Sequence, residues 1–223
     1  MIVANHAAWA DWIFHPYLGW LLKRHFHALH LLGKTPQTNA DHPLLLLTNH
    51  STWWDGFFVY LLNKKIFHRP AYLMMLEEQL ARYRFFSRIG AFSVNPRSTS
   101  GVMKSLDYAA TILRQQPLPR PLLCIFPQGE LLPWARRPLG YKRGVQALMR
   151  TFTERINVLP LAIKAEFLNE QKAEVFFLFG ENQVVATGAF PDMKTLQDDE
   201  EKLLDDLAEM IGRGDRGLDL LAG

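Results

Sequence analysis

Short apolar runs alternate with longer segments of helical periodicity, and this alternation constrains the fold more than any other feature of the chain. The apolar runs have the length and composition of buried strands, and the segments between them end at proline or glycine. Strands are predicted at residues 43–48, 71–75, 90–94, 122–126, 157–164 and 173–179, and helices at 77–88, 99–116 and 142–154. The pattern therefore predicts an α/β domain with a single central, mostly parallel sheet flanked by helices.

A histidine and an aspartate follow the first of these strands at a spacing of five. Residues 49–56 read Asn-His-Ser-Thr-Trp-Trp-Asp-Gly, so His50 and Asp55 lie just beyond the apolar run. On one helix, residues five apart would be separated by about 140° around the axis. On one strand they would point to opposite faces. The two side chains can meet only across a turn, and the apolar run 57–62 predicts a helix that begins at the motif.

Such a pair has the composition of a general base and its orienting carboxylate. Imidazole exchanges protons near neutral pH, and a carboxylate on its second nitrogen fixes the tautomer and stabilises the imidazolium that forms. No protein nucleophile is needed if the hydroxyl of a substrate attacks. A histidine near an aspartate is also common in purely structural roles. His6 and Asp11 repeat the spacing with no strand before them, and we interpret that copy as coincidence or a decayed duplication.

Four short blocks, taken in order, resemble those of the glycerolipid acyltransferase family, which includes the 1-acylglycerol-3-phosphate acyltransferases. The first is His-x4-Asp, at His50 and Asp55. The others are Gly-Ala-Phe-Ser-Val-Asn-Pro-Arg at 90–97, Phe-Pro-Gln-Gly-Glu at 126–130 and Val-Leu-Pro-Leu-Ala at 158–162, and Tyr-Lys-Arg-Gly at 141–144 is similar to a further family segment. The resemblance covers about residues 25–165 and implies an acyltransferase on an α/β fold.

The resemblance also implies roles for individual residues. His50 would be the general base and Asp55 its orienting partner. The polar head of the acceptor would be bound by Arg97, Gln128, Gly129, Glu130 and Lys142.

The second and third blocks depart from the family pattern. Asn95 and Pro96 place one extra residue before the arginine, Gln128 stands where a glutamate is usual, and Glu130 replaces a hydroxyl residue. Arg97 could instead be an ordinary surface arginine, and Glu130 could brace a loop. These departures keep open an acceptor without phosphate, such as a glycolipid or a carotenoid glycoside.

The N-terminal forty residues differ from the rest in being crowded with aromatic side chains. Tryptophan and tyrosine favour the membrane interface, and basic residues beside them favour lipid phosphates. The apolar group is followed directly by Lys23, Arg24, His25 and His27, and it comprises Trp9, Trp12, Ile13, Phe14, Tyr17, Leu18, Trp20, Leu21 and Leu22. We predict an amphipathic, membrane-associating helical segment at residues 1–40, with a helix pair packed on the core as the alternative. The histidines match no strong zinc spacing, so no metal is predicted.

Charge is divided unequally between the body and the end of the chain. The net charge is +3, but residues 192–223 hold ten acidic and four basic residues. Apolar residues recur there at helical spacing, which predicts an acidic amphipathic helix at the end of an acyltransferase domain spanning residues 41–223. The basic remainder suits an anionic membrane surface or an anionic donor. It carries no motif for nucleic acid, and Cys124 is the only cysteine.

The sequence thus predicts an O-acyltransferase that moves a fatty acyl group from a thioester to the hydroxyl of a lysophospholipid such as 1-acylglycerol-3-phosphate. The donor would be acyl-CoA or acyl carrier protein, with no metal or bound cofactor. Lys23 is the first basic residue, so no charged region precedes the apolar segment as in a secretory signal. We therefore expect a peripheral or monotopic protein at the cytoplasmic face of the membrane. A non-catalytic lipid-binding protein on the same fold is the more distant alternative.

Overall fold

The computed structural model describes residues 1–186 and 188–222, and within them the strands form one sheet. Each predicted apolar run forms a strand. The strands are β1 Phe26–Leu32, β2 Leu44–Thr48, β3 Ala71–Leu76, β4 Ala91–Val94, β5 Leu122–Ile125, β6 Ile156–Glu166, β7 Ala173–Phe179, β8 Gln183–Val185 and β9 Leu218–Asp219. Their order across the sheet is β4-β3-β5-β2-β6-β7-β1-β9, with β8 paired to β6.

The part of the sheet from β4 to β6 is parallel, as the sequence predicts. Leu47 of β2 lies between Ile125 of β5 and Pro160 of β6, both in parallel register. The sheet becomes mixed beyond that point, because β7 and β8 run antiparallel to β6 and β9 runs antiparallel to β1. The carboxyl ends of β2 and β5 therefore lie side by side, which is where α/β sheets bind their ligands.

Helices cover both faces of the sheet. They are α1 Ala8–His25, α2 Asp55–Leu62, α3 Glu77–Arg82, α4 Thr99–Leu113, α5 Gly144–Thr151 and α6 Met193–Gly212. The alternating side chains of β2 show the division: Leu44 and Leu46 pack with α1 and α2, whereas Leu45 and Leu47 pack with α4 and α5. The segment predicted as one helix at 77–88 is two, because the backbone leaves the helical region at Tyr83 before a 3-10 helix at Arg84–Ile89.

The N-terminal segment contains one helix and one strand. Pro16 lies inside α1 without ending it. The helical prediction is wrong for residues 26–32, which form β1 in parallel register with β7. All of β1 except His27 is buried, so the run satisfies its backbone and its apolar side chains in the sheet. The sheet thus draws on residues before and after position 40.

The C-terminal helix α6 packs against β6 and β7, as its apolar spacing predicts. Leu204, Leu207 and Ile211 meet Leu32 and Phe176 in one buried cluster. The predicted acidic amphipathic helix would turn its acids to water, and this is wrong for Glu200, which is 1% exposed. No helix of the described chain has both the length and the apolar character that crossing a membrane requires.

Candidate active site

His50 and Asp55 meet at the carboxyl end of β2. The His50 Nδ1 atom lies 2.9 Å from the Oδ2 atom of Asp55. The chain turns between them, and α2 begins at Asp55, which is the arrangement that the spacing required. A carboxylate can only accept hydrogen bonds, so Nδ1 carries the proton and Nε2 presents its lone pair.

Asp55 is held by the loop that it closes. Its Oδ2 atom also accepts hydrogen bonds from the backbone N–H groups of Ser51 at 2.8 Å and Thr52 at 2.9 Å, and its Oδ1 atom accepts one from the Thr52 hydroxyl at 2.5 Å. The side chain is 1% exposed and stands at the N-terminus of α2, where the helix dipole favours negative charge. The carboxylate therefore has a fixed position and a full set of donors.

The strand that neighbours β2 supplies further contacts to His50. Phe126, just past β5, stacks on the imidazole with ring centroids 4.1 Å apart and an interplanar angle of 20°. The Gln128 Oε1 atom accepts a hydrogen bond from the His50 backbone N–H at 2.6 Å, and the His50 carbonyl accepts one from the N–H of Leu132 at 2.9 Å. The His50 side chain remains 24% exposed, so the fixed imidazole is open to a substrate.

Asn49 attaches the loop to β6 on the other side. Its side-chain amide donates to the carbonyl of Ile163 at 2.9 Å and accepts from the Ile163 N–H at 2.8 Å. These two bonds take the place of a backbone ladder pair after Thr48, which is the last residue of β2 in register with β6. Asn49 and Phe126 carry no site prediction from the sequence, although both stand beside or within the motifs that do.

The residues predicted to bind the acceptor head in the third block and the segment after it divide into one buried and three exposed positions. Gln128 is 1% exposed, so its side chain does not reach the surface. It supports the loop of His50 from inside the protein. Gly129 has a φ of +70°, which a glycine adopts without strain. Glu130 and Lys142, both more than half exposed, form an ion pair at 3.2 Å. The binding roles of these residues stay predictions.

Arg97 lies apart from this group. It follows β4 at the edge of the parallel strands, and two strands separate β4 from β2, a distance of about 14 Å. Its guanidinium is 82% exposed and forms an ion pair with Glu78 at 2.9 Å. Its role toward an acceptor remains a prediction.

A cavity of about 110 Å³ lies against the carboxylate side of the loop. Its lining includes Ser51, Thr52 and Asp55 from the loop, together with Trp134 and Lys164. The Lys164 ammonium lies 3.6 Å from the centre of the Trp134 ring and 2.6 Å from a Glu166 oxygen. The Lys164 ammonium that lines this cavity is therefore already paired with Glu166.

The second His-x4-Asp spacing, at His6 and Asp11, does not bring its two side chains together. Asp11 binds Lys64 and the Tyr60 hydroxyl, while His6 packs edge-on against Tyr72, so the second His-x4-Asp spacing yields no pair. Over residues 1–186 and 188–222, no group of three or more His, Cys, Asp or Glu side chains could hold a metal ion.

An oriented imidazole beside the carboxyl ends of parallel strands defines an α/β enzyme whose site is suited to moving a proton from a hydroxyl group. A family model described as Acyltransferase matches residues 33–164, more than half of the chain. The chain therefore belongs to the acyltransferase family, and the resemblance drawn from the four blocks is confirmed.

A solved structure extends the likeness beyond the matched residues. The 1-acyl-sn-glycerophosphate (LPA) acyltransferase PlsC from Thermotoga maritima superposes with a TM-score of 0.57 at 15% identity, covering 89% of this chain and 80% of that one. At this identity the likeness establishes the fold. No curated protein matches the sequence.

Proposed function

We propose that this acyltransferase moves a fatty acyl group from acyl-CoA or acyl carrier protein to the free hydroxyl of a lysophospholipid such as 1-acylglycerol-3-phosphate. The observation that carries the proposal is the 2.9 Å bond from His50 Nδ1 to Asp55, which leaves Nε2 as the base. The fold shared with an LPA acyltransferase supports this class of acceptor.

The chemistry requires one proton transfer in each direction. The acceptor hydroxyl gives its proton to His50 Nε2 while its oxygen bonds to the thioester carbonyl carbon, forming a tetrahedral oxyanion. Asp55 stabilises the imidazolium. The carbon–sulfur bond then breaks, the imidazolium returns the proton to the departing sulfur, and the products are an ester and a free thiol. The exposed imidazole edge and the lack of any need for a protein nucleophile fit this sequence of steps.

Two cations that could bind a phosphate are already paired. Lys142 contacts Glu130, and Arg97 contacts Glu78, and all four side chains are more than half exposed. Exposed pairs of this kind contribute about 0–1 kcal/mol, so a phosphate could displace either carboxylate at little cost. The same pairing gives a specific reason to retain an acceptor without phosphate as the second candidate.

We also propose that α1 holds the protein on an anionic membrane surface. Its buried side includes Phe14 and Leu18. Its outer side exposes an aromatic stripe made of Trp9, Trp12, Tyr17 and Trp20, with Ile13 beside it. An exposed stripe of this composition favours the interface between water and lipid. Lys23 and Arg24 stand at the end of the helix, where they can meet lipid phosphates.

The test is a labelled acyl-transfer assay read by mass spectrometry of the lipids. Acyl-CoA and acyl carrier protein would be offered with lysophosphatidic acid, other lysophospholipids and glycolipid alcohols. We expect His50→Ala to lower the rate by about 10²–10⁴-fold. The matched control is His68→Asn, an exposed histidine before β3 whose positive φ an asparagine tolerates, and this variant should retain native activity.

The acceptor that reacts decides between the two candidates. Transfer to lysophosphatidic acid that His50→Ala abolishes would support the phospholipid acceptor. Transfer only to an uncharged alcohol would reject the phosphate-binding role of Arg97 and Lys142 and favour the second candidate. Full activity in His50→Ala would reject the proposed base.

A further inference from the structure

One side of α6 is bonded to the loops that build the candidate active site. Glu200 lies within the buried stripe of the helix. Gln197, Glu201 and Asp205 follow one another at intervals of four residues along the border of that stripe. Residues four apart share one face of a helix, so these side chains form a continuous polar edge.

The polar edge bonds to the segment that leads into Lys142. Gln197 Oε1 accepts hydrogen bonds from the backbone N–H groups of Gly140 and Tyr141, each at 3.0 Å. Glu201 Oε1 accepts one from the N–H of Leu139 at 2.8 Å. The border side chains thus fix three successive backbone N–H groups just before Lys142.

The same edge is extended by one ion pair. Asp205 accepts a hydrogen bond from the Arg137 guanidinium at 2.7 Å. Arg137 also donates to the carbonyl of Trp134 at 2.9 Å, so the pair reaches the segment that lines the cavity beside Asp55. The α6 helix therefore contacts residues 137–141, which lie in the loop between the third block and Lys142.

Glu200 reaches the catalytic loop itself. Its Oε1 atom accepts a hydrogen bond from the Asn49 backbone N–H at 3.3 Å, one peptide before His50. Gln128 binds the next N–H in the chain, that of His50, from the β5 side. Burial raises the pKa of Glu200 well above its usual range, although the hydrogen bond from Asn49 acts to lower it. The raised pKa favours the neutral carboxyl form.

We propose that α6 is a positioning element for catalysis, in which Glu200 sets the location of the His50 imidazole and Gln197 sets the loop that carries Lys142. The inference deepens the proposed function and rests on it, since it assumes His50 as base and Lys142 as a group that binds the acceptor. The Acyltransferase match ends at residue 164, so α6 itself lies outside the matched region.

Packing alone does not account for these contacts. Leu196, Leu204, Leu207 and Ile211 already bury the apolar stripe of the helix. A polar side chain at Glu200 interrupts that stripe and would cost stability unless it were bonded. Glu200 makes its bond to the loop of His50. Its replacement should therefore act on that loop, whereas the packing of the helix depends on its apolar neighbours.

The test compares Glu200→Leu with Glu200→Gln and with Asp198→Asn. The glutamine keeps an acceptor for the Asn49 N–H and matches a neutral carboxyl in size, whereas leucine removes the acceptor. Asp198 lies two residues away in an exposed pair with Lys194 and is the matched control. We expect Glu200→Leu to lower kcat by about 10²-fold with KM within about two-fold, because an error of about 1 Å in a catalytic group has such an effect. The other two variants should stay within about three-fold of native kcat.

Gln197→Leu provides a second variant in case Glu200→Leu does not fold. It releases the N–H groups of Gly140 and Tyr141, so we expect the KM for the acceptor to rise by about ten-fold with kcat within about two-fold. A native kcat in folded Glu200→Leu, an equal loss in Glu200→Gln, or a native KM in Gln197→Leu would each contradict the proposal.

The ring signals of His50 in NMR spectra separate this inference from the proposed function, because they need no substrate. We expect them to move in Glu200→Leu and to stay in place in Glu200→Gln and Asp198→Asn. If no acceptor reacts with the native protein, the proposed function fails. The positioning of His50 by Glu200 would still be supported by that pattern of shifts, and unchanged signals in Glu200→Leu would overturn it.

Discussion

Replacing Asp55 by asparagine tests the pairing at the centre of the site. In the native protein one Asp55 oxygen accepts three N–H groups, from the His50 ring and from the backbones of Ser51 and Thr52. An asparagine oxygen can take the same position, with its NH₂ group directed at the Thr52 hydroxyl. The shape of the loop is then kept while the negative charge is lost.

The size of the effect follows from those bonds. A hydrogen bond to a charged group contributes about 1.5–3 kcal/mol and a neutral one about 0.5–1.5, so weakening three of them should cost about 3–4.5 kcal/mol. For a chain of this length that lowers the melting temperature by about 6–18 °C. We expect kcat to fall by about 10²–10⁴-fold, the larger value applying if the NH₂ group faces Nδ1 and moves the ring proton to Nε2.

Melting would be followed by calorimetry and kcat by release of free thiol from the acyl donor. Asp107→Asn is the control, since Asp107 is an exposed carboxylate on α4, far along the chain from the motif. A folded Asp55→Asn protein with kcat within about ten-fold of native would refute the orienting role given to Asp55.

Three further outcomes follow from individual side chains. Burial raises the pKa of the Cys124 thiol, so we expect no reaction with a thiol reagent at pH 8 until the protein is unfolded in denaturant. Burial alone would raise the pKa of Asp11, but the bond from Lys64 holds it below its usual value. Its contribution to stability is therefore complete above about pH 4 and lost as the pH falls, and Asp11→Asn should flatten this acid limb in melting experiments. Trp12 is 79% exposed in the aromatic stripe, so Trp12→Ser should weaken sedimentation with anionic vesicles, whereas Phe167→Ser, at an equally open position of the β6–β7 loop, should not.

Much of the parallel part of the sheet could be predicted because each strand is a short apolar run of its own. The run of leucines in β2 is buried on both faces of the sheet, so its apolar pattern is continuous rather than alternating. The strand at Phe26–Leu32 was harder to predict, because it follows α1 directly and no turn residues mark its start. Only its pairing with β7, more than 140 residues later, fixes it as a strand.

The central pair of the site was predictable for a local reason. His50 and Asp55 are five residues apart, and a turn followed by a helix start is the geometry that lets them meet. The supports of that pair come from distant segments. Glu200 is 151 positions from Asn49. The spacing of Leu196 and Leu204 places it on the apolar face of α6, but nothing in the sequence identifies the distant N–H group that it binds.

The third block shows that residues of one motif can have different surroundings, which the sequence alone does not predict. Gln128 and Glu130 are two positions apart, yet one is buried under the catalytic loop and the other is exposed with Lys142. The turn at Gly129 sends their side chains in different directions. Their shared place in a motif therefore does not give the two side chains the same surroundings.

The pairing of β1 with β7 and β9 has a consequence for synthesis of the protein. β1 lies immediately after α1, but its partners are residues 173–179 and 218–219. During translation the aromatic stripe of α1 leaves the ribosome long before the strand that anchors it can be completed, and such distant pairings form slowly. This edge of the sheet therefore stays open after α1 has been made, and it closes only when residues 173–179 and 218–219 have followed.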